Sequence, residues 1–339
     1  MSLQEIAQAL PQRLLPWYEA NARVLPWRQD REPYHILLSE IMLQQTRVEA
    51  VKAYYVRFLA ALPTIEALAA AEEQTLLKLW EGLGYYSRVR NLQKAAQAVV
   101  AQGGFPRDAA GLLALPGVGP YTAGAVGSIC FELPTPAVDG NVLRVMTRLC
   151  AIETPINDTA LKREITDALA AAYPIGRCGD FTQALMELGA TVCGPNGAPD
   201  CAQCPLRELC AAADGAWKRI PVRPAKKARR QEQRSVLILR CGEQIALRKR
   251  PNKGLLAGLW ELPNVAGILS AQAALDLAAE LGTQPVELVK TLTRRHIFTH
   301  VEWELHGFEI ECRAQSPELV WQTAEDAALP TAFRILLTP

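Results

Sequence analysis

The sequence predicts a multidomain chain: an all-α region to about residue 217, then an α+β region from residue 235. Three observations predict it. Up to residue 217, Ala and Leu dominate and the apolar residues recur with helical spacing. From Trp217 the chain reads WKRIPVRPAKKARRQEQR, with eight Lys/Arg, one acid and two prolines, so residues 218–234 read as an exposed basic linker. Beyond Ser235 the apolar period becomes that of strands.

Taken in order, one helix is predicted from Tyr34 to Ala61. A second opens at Thr64, after Pro63, with Glu66 in its first turn. Gly82-Leu83-Gly84 breaks the pattern before Tyr85-Tyr86. Ser87 then caps a helix that ends before Gly103-Gly104. The segments Asp158–Tyr173 and Asp180–Cys193 complete the helical set. In the second region Val236–Leu239 is an apolar run, Cys241-Gly242-Glu243 a turn, and Ile245-Ala246-Leu247 the next strand. Residues 271–281 read as helix. Residues 297–312 alternate, with Val301, Trp303 and Leu305 on one face.

The bulk numbers narrow the class. The 339 residues are 50% hydrophobic and 21% charged, an ordinary globular composition with net charge +1. A nucleic-acid partner would have to be held by local basic patches and backbone amides, not by global charge. No apolar run reaches the ~20 residues of a membrane helix, and Met1–Glu5 lacks the basic start of a signal peptide. Of nine cysteines, Cys193, Cys201, Cys204 and Cys210 cluster; the rest are scattered. That pattern argues for a metal site in a reducing compartment, not for a disulfide framework. A monomer in the cytoplasm, associated with the nucleoid through DNA, is expected.

Leu115-Pro116-Gly117-Val118-Gly119-Pro120-Tyr121 lies between helical segments. Two glycines allow a tight turn, and Pro120 suits the first turn of the next helix, whose free amides form an anion site. A plain helix–helix connection is the alternative. The segment closely matches the helix-hairpin-helix motif, placed here at about residues 112–128, and Gly117 and Gly119 are its candidate phosphate contacts.

Together with Val138-Asp139-Gly140-Asn141 and the cysteine cluster, this motif resembles the endonuclease III superfamily of DNA glycosylases. Leu25-Pro26-Trp27-Arg28, Ser39-Glu40-Ile41-Met42-Leu43-Gln44-Gln45-Thr46 and Trp80-Glu81-Gly82-Leu83-Gly84-Tyr85-Tyr86 resemble one branch, the MutY-type adenine DNA glycosylases. The likeness covers residues 10–215 strongly and the C-terminal region more loosely. It implies a six-helix barrel carrying the hairpin, and an iron–sulfur subdomain built from the N-terminus and about residues 140–217. It implies hydrolytic removal of adenine opposite 8-oxoguanine, and opposite guanine, from double-stranded DNA.

Two carboxylates would carry that chemistry. Glu40 has Ile36, Leu37, Leu43 and Gln44 as helical neighbours, so burial would keep it protonated near neutral pH, as a general acid requires. An interhelical salt bridge is the competing reading. The resemblance implies that Glu40 protonates the departing base and Asp139 steadies the sugar cation, with Tyr121 and Asn141 in support. A turn or helix cap at Asp139 is the alternative. The lyases of the superfamily carry a lysine where this chain has Tyr121, and tyrosine forms no imine, so a glycosylase without strand cleavage is expected.

By the same resemblance, Arg23, Leu25, Trp27, Arg28 and Val48 line the adenine pocket; core packing competes for Leu25 and Trp27. Gln45 and Tyr85 fill the gap left in the duplex, and Thr46, Leu83 and Gln45 approach the opposite base. A core pair at a helix end is the other reading of Tyr85-Tyr86. The spacing C-x7-C-x2-C-x5-C admits zinc or an iron–sulfur cluster. The resemblance implies a [4Fe–4S] cluster, although the first gap is one residue longer than the family's usual spacing.

Gly254–Pro263 gives the C-terminal region its likeness to the Nudix-like domain of these glycosylases. Residues 271–282 hold only Asp276 and Glu280 as acids, so no pyrophosphatase activity is expected. Phe298-Thr299-His300 matches the lesion-contacting loop, which makes Thr299 and His300 candidate contacts to the oxidised guanine. A surface loop hydroxyl and histidine is the alternative.

Overall fold

Helix α1 (Leu3–Asn21) begins with a capping box: the Ser2 hydroxyl accepts from the Glu5 amide and the Glu5 carboxylate accepts from the Ser2 amide. In the computed structural model, which describes residues 1–224 and 228–338, the chain forms two compact units. One comprises Met1–Glu72 and Ser87–Ala225; the other comprises Glu73–Tyr86 and Lys226–Pro339. Residues 225–227 of the basic stretch lie outside the described residues.

The first unit is helical. After α1 come α2 (Pro33–Leu43), α3 (Val48–Ala61) and α4 (Ile65–Ala70); α5 (Glu73–Leu79) groups with the other unit. Then follow α6 (Ser87–Ala101), α7 (Ala109–Ala114), α8 (Pro120–Phe131), α9 (Gly140–Leu149), α10 (Thr159–Ala170) and α11 (Cys178–Thr191). The single helix expected over 34–61 is two. Gln44 leaves helical geometry and Gln45 has φ +58°, so α2 stops there and α3 starts in a new direction. Thr64 and Asp158 cap α4 and α10 through side-chain oxygens. Helix α6 ends before Gly103 and Gly104, both at positive φ. Helix α11 packs on α1, α8 and α9, and α2 on α8. One core joins Leu10 and Leu14 of α1 to Met146, Ile165, Phe181 and Leu185. No described helix is long and apolar enough to cross a membrane.

The second unit is built on a sheet. Its strands are β1 (Arg230–Cys241), β2 (Gln244–Lys249), β3 (Trp260–Glu261), β4 (Asn264–Ala266), β5 (Pro285–Ile297), β6 (Val301–Cys312) and β7 (Val320–Thr323). Helices α12 (Ala271–Glu280) and α13 (Thr331–Arg334) accompany them. The order is β3-β2-β1-β6-β5, with β4 added to β1 and β7 to β2; β1 and β6 run parallel and the other pairs antiparallel. Strand β1 is buried on both faces. Val236 and Ile238 pack with Trp303 and Phe333, while Leu237 and Leu239 pack with Ala274 and Phe308. That explains an apolar run without alternation. Strand β1 also starts earlier than expected: Arg230–Arg234 pair with Val301–Leu305, so these five positions are sheet and not linker.

Candidate active site

Helix α2 is apolar almost all round, with Ile36–Met42 buried, and this sinks Glu40 to 5% exposure. Taking a carboxylate out of water favours its neutral form. Burial lifts the Glu40 carboxyl to about 7, and the nearby Asp139 charge adds to the rise. Against it works the Tyr121 hydroxyl, which donates to Glu40 Oε2 at 2.5 Å, and the Arg28 charge.

Tyr121 is the second residue of α8, so the hairpin that precedes α8 fixes where its phenol points. Gly117 occupies φ +73°, and a Cβ there would lie 2.5 Å from Asn91 Cβ. Both the conformation and the space require glycine. Gly119 is the residue before α8 and leaves its side toward solvent open.

Asp139 is the N-cap of α9. Its Oδ1 accepts from the amides of Asn141 and Val142, each at 2.8 Å, and its Oδ2 accepts from Asn141 Nδ2 at 2.6 Å. Burial raises its carboxyl above the ordinary range, while these three donors pull the other way. Asn141 is itself held: its Oδ1 accepts from Arg144 Nη2 at 2.8 Å, and the same guanidinium donates to the carbonyls of Gly189 and Cys193. Gly189 lets α11 come this close, since a Cβ there would meet Asn141 Cβ at 2.6 Å.

A cleft of about 510 Å³ gathers these groups. It is bordered by Glu40, Tyr121, Asp139 and Asn141, by Arg23, Leu25, Trp27, Arg28 and Val48, and by Gln45 and Thr46. Eleven sequence-selected residues therefore share one cavity, within the size range of small-molecule sites. Leu25 and Trp27 are also buried, Trp27 edge-on to Tyr55 at 5.5 Å, so packing and lining coincide in them. Gly117 and Gly119 do not line the cleft. Leu83, Tyr85, Thr299 and His300 belong to the second unit, where the Tyr85 hydroxyl is hydrogen-bonded to that of Thr299. The His300 carbonyl accepts from the Arg230 amide there.

One residue of the cleft escaped the sequence reading. Glu187, fully buried on α11, accepts from Arg23 Nε at 2.7 Å, Arg23 Nη2 at 3.0 Å and Arg28 Nη2 at 2.8 Å. Burial pushes its carboxyl up, but the two arginines outweigh burial and hold it below the usual range. An acid inside the apolar run Ala184–Ala190 was the available signal, the same one that marked Glu40.

Cys193, Cys201, Cys204 and Cys210 border a second, small cavity together with Arg148 and Trp217. Arg148 Nη1 donates to Cys193 Sγ at 3.2 Å. Among the described residues, no three His, Cys, Asp or Glu side chains converge on one ion position. Four thiols around one cavity beside a buried guanidinium are a donor set that suits an iron–sulfur cluster.

Residues 38–170 match the HhH-GPD superfamily of base excision DNA repair proteins, and residues 235–338 match the NUDIX domain. A solved thermostable thymine-DNA glycosylase superposes with a TM-score of 0.56 at 29% identity, covering 62% of this chain and 97% of that one. An endonuclease III trapped as a covalent intermediate with DNA superposes with a TM-score of 0.52 at 25% identity, covering 63% and 98%. The helical unit is thus that of a DNA glycosylase, and it is followed by a Nudix-type domain. Over 96% of its length the chain is 35% identical to the adenine DNA glycosylase of Rattus norvegicus, 77% of which is covered. The chain belongs to the adenine DNA glycosylase family.

Proposed function

We propose that this enzyme removes adenine from double-stranded DNA where it stands opposite 8-oxoguanine, or opposite guanine, by hydrolysing the N-glycosidic bond. One observation carries the reading: a buried Glu40 with its carboxyl at about 7 shares a cleft with Asp139, whose oxygens accept three hydrogen bonds.

The adenine leaves the base stack and enters the cleft. Leu25, Trp27 and Val48 supply apolar walls, and Arg23 and Arg28, aligned by Glu187, supply donors. Tyr121 occupies Glu40 Oε2 and fixes the carboxyl plane. Glu40 hands its proton to the imidazole ring of adenine, the bonding pair leaves with the base, and positive charge develops on the sugar. A positioned acid of this kind contributes on the order of 10²–10⁴-fold. Asp139, kept in place by Asn141 and Arg144, lies beside that cation. Water then adds to the sugar and returns a proton to Glu40.

The amides around Gly117 and Gly119 hold a phosphate at the start of α8. Gln45 and Tyr85 fill the space vacated by the adenine, and Thr46, Leu83, Thr299 and His300 contact the opposite base. Cys193, Cys201, Cys204 and Cys210 would hold a [4Fe–4S] cluster, with Arg148 of α9 donating to Cys193 Sγ in the loop after α11. Tyr121 offers no amine to the sugar, so the enzyme releases the base without cutting the strand.

The test is a duplex carrying adenine opposite 8-oxoguanine, treated with the enzyme and then with alkali. Strand breakage at that adenine only after alkali, with a thymine–adenine duplex left intact, supports the reading. An intact strand, or an efficient borohydride-trapped adduct, overturns it.

A further inference from the structure

The turn between α2 and α3 borders the cleft, and within it only Thr46 holds the chain, its amide donating to the Leu43 carbonyl at 3.2 Å and its hydroxyl to the Gln44 carbonyl at 3.4 Å. Gln45 is exposed and sits in the left-handed region at φ +58°, and the Arg47 side chain caps nothing at the start of α3. A residue with a Cβ stays in that region only when its surroundings impose it.

A further hold comes from another helix. Arg88, the second residue of α6, is 8% exposed. Its Nη1 donates to the carbonyls of Ile41, Met42 and Gln44 at 2.9, 2.9 and 2.7 Å, and its Nη2 lies 3.4 Å from Thr46 Oγ1. The last carbonyls of a helix have no partners within it and carry the negative end of its dipole. A guanidinium set there satisfies several at once. In the first turn of its own helix a cation is disfavoured by the same dipole, so the position of Arg88 serves α2 and not α6.

We infer that Arg88 is a positioning residue that holds the Gln44-Gln45-Thr46 turn in the shape required for Gln45 to enter the duplex. The inference rests on the insertion of Gln45 proposed above. One guanidinium grips the end of the helix that carries Glu40, the residue before the left-handed one and the residue after it. Arg88 does not line the cleft and touches no reacting atom.

The test uses the full chain with Glu40→Gln as background, so that the target base is retained, and a duplex with 2-aminopurine as the target opposite 8-oxoguanine. Emission per bound complex reports extrusion of the base. Arg88→Met is expected to reduce that emission about tenfold, with Arg88→Lys between it and the parent, because one ammonium replaces part of a multidentate grip. Gln45→Ala is expected to match Arg88→Met, and the double variant to fall no further, since both act through one turn. Loss of stability alone would lower the bound fraction and leave emission per complex unchanged. Unchanged emission in Arg88→Met beside a loss in Gln45→Ala overturns the role of Arg88, as does an additive double variant. Unchanged emission in Gln45→Ala overturns the insertion reading itself.

Discussion

Burial lifts the Glu40 carboxyl to about 7, and the hydrogen bond from Tyr121 works in the opposite direction. Tyr121→Phe should therefore move the carboxyl higher, not lower. In the proposed mechanism the acid is active while protonated, so excision should fall as pH rises through its titration, and in Tyr121→Phe that alkaline limb should move to higher pH. The rate at neutral pH should still drop roughly tenfold, since the carboxyl loses the group that orients it. Single-turnover rates across pH 5–9 decide this, and a limb moved to lower pH would contradict the cause assigned to the shift. The same burial costs stability. Between the ordinary value of 4.5 and about 7 the folded chain binds more protons than the unfolded one, so stability declines with rising pH across that window and stays lowered above it. At ~1.4 kcal/mol per unit, Glu40→Gln should be more stable than the parent by roughly 3 kcal/mol at pH 8, with the gap closing toward pH 4. Denaturant unfolding at the two pH values measures it; equal stabilities at pH 8 would mean that Glu40 is not held in a desolvated state.

Helix α9 shows how one residue can serve an element and a site together. Asp139 caps α9 through two backbone amides and also faces the cleft, so the helix-cap reading of Asp139-Gly140-Asn141 and the site reading describe a single geometry. Asn keeps the capping oxygen and Ala does not. Asp139→Asn should leave stability within about 0.5 kcal/mol and Asp139→Ala should cost about 1 kcal/mol, whereas both should lose excision by ~100-fold or more. Activity that tracks the cap, retained in Asn and lost in Ala, would remove the anion from the mechanism. Helices were legible in the sequence where caps and apolar period agree, as at Thr64 and Asp158. The break after Leu43 was not, because it depends on Gln45 in a conformation its residue type disfavours and on Arg88, more than forty positions away. Strand β5 also escaped: it is a sheet edge whose half-buried face carries Leu292 but also the polar Arg294 and His296, so its burial alternates without an apolar alternation in the sequence. Arg230–Arg234 looked like linker because polar side chains hid a backbone paired with β6. In the cleft, Glu187 lacked a motif of its own, and its meaning appears only once Arg23 and Arg28 are brought to it from far along the chain.

With a net charge of only +1 over 339 residues, the chain as a whole gains little from long-range attraction to DNA, so selectivity has to come from local contacts. In the function proposed here those contacts divide between the two units: the carboxylates and the cleft belong to the first, Tyr85, Thr299 and His300 to the second. The hairpin that presents Thr299 and His300 is stiffened from below. Phe298 packs edge-on to Trp303 at 4.9 Å and to His296 at 4.5 Å, the Arg234 guanidinium lies 4.9 Å from the centre of the Trp303 ring, and the Trp303 indole donates to Glu232 at 2.9 Å. The tip can therefore lose a side chain without losing its place. If the second unit reads the oxidised base and the first performs the chemistry, Thr299→Ala should lower the preference for adenine opposite 8-oxoguanine over adenine opposite guanine by roughly tenfold, the worth of one polar contact to a base. It should leave the alkaline limb of the pH profile where Glu40 sets it. Excision rates on the two duplexes, each followed across pH, separate the outcomes. A preference unchanged by Thr299→Ala would take lesion reading away from this hairpin. A displaced alkaline limb would mean that the second unit acts on the proton of Glu40 as well as on the opposite base.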